Sequence, residues 1–60
     1  MKIGDSVEVI QGNYSGKTGV IRELNEDIVL VQGEGLEGAA RNHKPIPNAR
    51  YFFTYMIQVI

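Results

Sequence analysis

Three observations predict a small all-β barrel. Apolar residues alternate or run in short β-branched stretches, glycine-rich turns separate those stretches at intervals of about ten residues, and no long segment carries a helical period. Sixty residues, 43% of them apolar, leave room for one domain, 1–60. A chain of that size buries only about 60% of the surface its unfolded form exposes, so tight turns and dense packing must carry its stability. With no cysteine and one histidine there is neither a disulfide nor a soft-metal ligand set, so no metal or cofactor is expected.

Each element follows from its residues. Val7 and Val9 alternate with Ser6, Glu8 and, approximately, Ile10, the period of two of a half-buried strand. GNYSGKTG, residues 12–19, has a glycine density that only turns accept. Val20 and Ile21 restart a strand, the polar stretch Leu24 to Asp27 reverses it, and the continuous run Ile28 to Val31 reads as the buried central strand. GEGLEG, residues 33–38, is a flexible connection. RNHKPIPN, residues 41–48, has two prolines that cannot donate to a ladder and reads as an extended, irregular surface loop. The competing local reading is a helical turn over Leu36 to Arg41, which Gly38 weakens. The last ten residues, YFFTYMIQVI, read as one closing strand. In such a strand Tyr51, Phe53, Tyr55, Ile57 and Val59 would face one way, mostly into the core. Phe52 and Met56 would face the other, offering an interaction surface to a second chain.

The same ten residues are about half the length that spans a bilayer as a helix, and MKIGDSVEVIQG holds no apolar stretch of the signal-peptide kind. The expected setting is therefore the cytoplasm, with no membrane contact. Net charge is −1, but all seven acids lie within residues 1–37. Arg41, His43, Lys44 and Arg50 follow with no acid among them, a local basic segment behind a neutral total.

At residues 4–21, GDSVEVIQGNYSGKTGVI, the spacing Gly-Asp-x-Val-x-Val, then three glycines and an apolar residue, resembles a KOW motif. Such motifs occur in NusG-type transcription elongation factors and in a family of ribosomal large-subunit proteins. The order VLVQGEGL, RNHKPIP and MIQVI is similar to the rest of that ribosomal family. The resemblance implies an SH3-like barrel of about five short strands and a role in RNA binding. It departs from the family in its hairpin, where Asn13, Tyr14, Ser15, Thr18 and Val20 surround a single cation, Lys17. Each missing lysine removes a phosphate contact and its counterion-release contribution.

The expected nucleic-acid contacts are Lys17, Arg41, Lys44 and Arg50 to phosphates, with Tyr14 and His43 as stacking groups. The partner would be an RNA or an RNA–protein machine. A second expectation, of a different class, is a protein-interaction or self-assembling barrel that does not bind nucleic acid and pairs through an edge or the carboxyl-terminal strand. A designed or reconstructed minimal barrel falls under the same heading. No nucleophile with a base and no paired carboxylates can be assembled, so the chain is not expected to be an enzyme. Glu23, Glu26 and Asp27 crowd one turn but lack the oxygen array of a calcium loop and read as a solvated reversal.

Overall fold

A computed structural model describes all of residues 1–60. It contains seven strands: β1 Ser6–Val9, β2 Thr18–Asn25, β3 Ile28–Gln32, β4 Ala40–Arg41, β5 Lys44–Pro45, β6 Ala49–Phe53 and β7 Ile57–Val59. A 3₁₀ turn, Thr54–Met56, joins the last two. Five strands make one antiparallel sheet in the order β6-β3-β2-β1-β7, and β4 with β5 forms a separate hairpin. No helix is long and apolar enough to cross a membrane.

Alternation in β1 buries Val7 and Val9 and exposes Ser6 and Glu8. They join Ile21, Val29, Val31, Leu36, Phe52 and Ile57 in a core of eight side chains. Within the β3 run Val29, Leu30 and Val31 are buried, on both faces of the sheet, whereas Ile28, at the start of the strand, is exposed. Val29 and Val31 enter the main core, while Leu30 packs with Ala39 and Ala49 in a second cluster that Ile46 half covers. That second cluster lies on the outer face of the sheet, beneath the β4–β5 hairpin.

Three local expectations are corrected. The last ten residues are two strands, with a 3₁₀ turn between them. β6 pairs with β3 and β7 pairs with β1, so the turn carries the chain from one edge of the curled sheet to the other. It also breaks the period of two. Phe52 and Ile57, five positions apart, both point inward, whereas one continuous strand would set them on opposite faces. Consequently Phe52 is core at 4% exposure, and Tyr51, Phe53, Tyr55 and Val59 are exposed. The expected interaction surface loses Phe52 to the interior, and Met56 is half-buried against the core.

The RNHKPIPN segment is ordered, not irregular. Arg41 pairs with Lys44 and Ala40 with Pro45 across a two-residue turn. Asn42 and His43 both take positive φ, 52° and 66°, as a turn matched to the twist of a hairpin demands. Pro45 is tolerated because this short pair has a free edge. No helical turn forms over Leu36 to Arg41. Leu36 reaches the core from the turn after β3, where its N–H donates to the Gly33 carbonyl at 3.2 Å, and Ala39 N–H donates to the Ala49 carbonyl at 3.0 Å, which ties the segment to β6 instead.

Closure also requires two backbones to touch. A Cβ on Gly33 would lie 2.2 Å from the Thr18 carbonyl oxygen, and one on Gly19 would lie 2.6 Å from that of Gln32. These are contacts with main chain, which cannot swing aside. Gly33→Ala is therefore expected to lower the urea midpoint by the equivalent of about 1–3 kcal/mol or more, the range for overpacking. Phe52→Ala should cost about 3–5 kcal/mol, a large part of the stability of a small domain. Tyr55→Ser, at an exposed position, should stay within about 0.5 kcal/mol. Equal midpoints for the Phe52 and Tyr55 variants would contradict the corrected facing of this segment.

Candidate nucleic-acid interface

The turn between β1 and β2 is closed by backbone bonds: Gly16 N–H donates to the Val9 carbonyl and Val9 N–H to that of Lys17, each at 2.8 Å. Ile10 N–H donates to the Met56 carbonyl, also at 2.8 Å, which anchors the loop to the 3₁₀ turn. Held in this way, Tyr14 is half-buried and meets Phe52 edge to face, with ring centroids 6.3 Å apart and planes at 79°. Arg50 occupies the inward-facing position of β6 opposite Val31. Its guanidinium carbon lies 4.6 Å from the centre of the Tyr14 ring. Its Nη1 donates to the Glu37 carbonyl at 3.1 Å. Such a cation over an aromatic face contributes about 0.5–2 kcal/mol.

Lys17 reaches the same loop from the other end. A Cβ on Gly35 would fall 2.9 Å from the Lys17 Nζ, so the lysine lies across that glycine. Tyr14, Lys17 and Arg50 thus gather along residues 35–38. Glu34 and Glu37 belong to the same loop, so the local field there is of mixed sign.

Arg41, His43 and Lys44 lie elsewhere. They sit on the β4–β5 hairpin, which covers the outer face of the sheet, whereas Arg50 projects from the inner side of β6. A bulge in β2 explains how the hairpin is held. The register passes from Ile21↔Val31 to Glu23↔Leu30, leaving Arg22 as the extra residue. Arg22 Nε donates to Gln32 Oε1 at 3.1 Å, and Gln32 Nε2 donates to the Pro47 carbonyl at 2.9 Å. The neighbouring Glu23 carboxylate accepts from Arg41 in the only ion pair of the chain. The Tyr51 hydroxyl, and next the Glu23 charge, raise the Arg41 pKa above its ordinary value. Arg41 is therefore occupied within the fold. Lys44 and His43 are exposed at the hairpin and unpaired.

A cleft of about 430 Å³ opens between the β1–β2 turn, β6 and the 3₁₀ turn. Tyr14, Arg50, Phe53 and Met56 wall it, with Gln11 and Asn13 at its polar side. Gln11 and Asn13 escape sequence reasoning, and Phe53 is expected there in the core, because the cleft exists only once β6 is brought beside the first turn. The one available signal was the five-residue interval from Phe52 to Ile57, which a single strand cannot use to bury both.

The family model for the KOW motif matches residues 3–34, just over half of the chain. No curated protein matches it. The matched residues span β1, the glycine turn, β2 and β3, and so supply five of the eight core side chains, Val7, Val9, Ile21, Val29 and Val31. On that match, and on the SH3-like arrangement of its strands, the chain belongs to the KOW motif family.

Proposed function

We propose that the chain is a non-catalytic, RNA-associated module that acts by recognition in the cytoplasm, with an RNA or an RNA–protein machine as its partner. KOW motifs are found in ribosomal and transcription-factor proteins, and this is what first supports the reading. The observation that carries it to particular residues is the Arg50 guanidinium held over the Tyr14 ring, with Lys17 at the other end of the same loop. A pre-positioned cation with an aromatic ring is the combination that binds a sugar–phosphate chain and its unpaired bases. Lys44 and His43 on the hairpin form a second contact, free of internal partners. Arg41 contributes less, because binding RNA means giving up Glu23.

A second reading rests on β6. Thr54 N–H donates to the Asp27 carbonyl and Gly33 N–H to that of Asn48. By the alternation of an antiparallel ladder, Tyr51 and Phe53 direct their backbone N–H and C=O groups away from β3. They have no partner there. An unpaired edge with exposed aromatic side chains favours pairing with another chain.

Fluorescence anisotropy of a labelled mixed-sequence RNA at low and moderate salt, with light scattering of the same sample, separates the two. Binding by a monomer that weakens with salt is expected. Lys17→Glu and Lys44→Glu should each lower the salt slope by about 1, and Arg41→Glu by less. No binding at low salt, with a dimeric or larger mass, would replace the first reading by the second.

A further inference from the structure

The cleft beside β6 has a chemistry that narrows the class of RNA. Its lining contains one formal charge, that of Arg50, and no carboxylate, in a chain whose total charge is negative. Its apolar wall is largely aromatic. At its rim Phe53 is stacked on Tyr55 with centroids 5.5 Å apart and planes within 8° of parallel. Both rings are open to solvent, at 48% and 64% exposure. A parallel pair left open at its end is a platform on which a further flat ring can stack. Hydrogen-bonding groups stand nearby without partners: the backbone N–H and C=O of Tyr51 and Phe53, and the side-chain amides of Gln11 and Asn13.

From this we infer that the cleft is a site for the unpaired nucleotides of a single-stranded RNA. Bases stack on the Tyr55–Phe53 pair, the free edge of β6 meets their polar rims, and Arg50 contacts the connecting phosphate. The inference rests on the RNA-associated reading and makes it specific for single strands or loops. In a duplex the base faces are already covered by their neighbours, so the platform gives a duplex nothing. An extended peptide would pair with the same edge but make no use of the open ring face. A volume of about 430 Å³ also falls in the range of small-ligand clefts, about 300–1,000 Å³.

The test compares a short oligoadenosine with a duplex RNA of equal length by anisotropy, using the unmodified chain, Phe53→Ser and Tyr55→Ser. Both substituted side chains lie outside the core, so the variants keep the fold. The unmodified chain should bind the single strand more tightly than the duplex. Each variant should lose about tenfold in affinity for the single strand, the scale of one base–aromatic stack, with duplex binding unchanged. A readout that needs no variant is the upfield shift of the Phe53 and Tyr55 ring protons as oligoadenosine is added. Equal affinity for the two RNAs, variants that bind as the parent does, or unshifted ring protons in a complex that forms would overturn the cleft site and leave the RNA-associated reading standing. Failure to bind either RNA at low salt would overturn both, and a rise in mass on its own would point to pairing through β6.

Discussion

Burial of the Phe52 ring is the contact on which the rest of the molecule depends. It lies where β6, the β1–β2 turn and the 3₁₀ turn converge, and it is the largest side chain of an eight-residue core. Tyr14 packs edge-on against it, Arg50 covers Tyr14, and the Glu37 carbonyl accepts from Arg50. One apolar ring thereby orders a chain of polar and aromatic contacts that ends at the surface. The Tyr14–Arg50 part of the candidate interface is in this sense an outgrowth of the core, positioned by burial rather than by charge.

The outer face of the sheet is organised by different physics. Leu30 would be a solvent-exposed apolar residue in the middle of the sheet if nothing covered it. The segment after β3 folds back as the β4–β5 hairpin and shields it with Ala39 and Ile46. Polar contacts then orient what apolar contact holds. The bulge at Arg22 lets consecutive residues of β2 serve the same face, one through Gln32 to Pro47 and the other to Arg41. Surface ion pairs add little to stability, and the role of Glu23 and Arg41 is better described as setting the position of the hairpin.

This division governs the electrostatics of recognition. A cation already engaged by the protein must release its partner before it can neutralise a phosphate, whereas a free one adds its counterion-release contribution in full. Arg41 is of the first kind and Lys44 of the second. Arg50 is intermediate, since its partners are a ring face and a carbonyl and neither cancels its charge. A chain of net charge −1 therefore carries its available cations in two separate places, Lys44 on the hairpin and Arg50 on the inner side of β6, without being a general polyanion binder.

Features written in short-range pattern were legible from the residues alone. The alternation at Val7 and Val9, the glycine turn after them, the double-sided burial of Val29 to Val31 and the KOW spacing each involve neighbours within a few positions, and backbone sterics and side-chain period act at that range. The facing of Tyr51, Phe52 and Phe53 was not legible. It depends on a 3₁₀ turn whose place is set by the separation between the two edges of a curled sheet, which no local period encodes. The division of the cations was equally hidden. Arg41 is occupied because Glu23, eighteen positions away, comes beside it across a bulge, and Arg50 meets Tyr14 only when the last strand closes over the first turn. Composition set how many charges the chain has, and tertiary contact decided which of them remain free to bind.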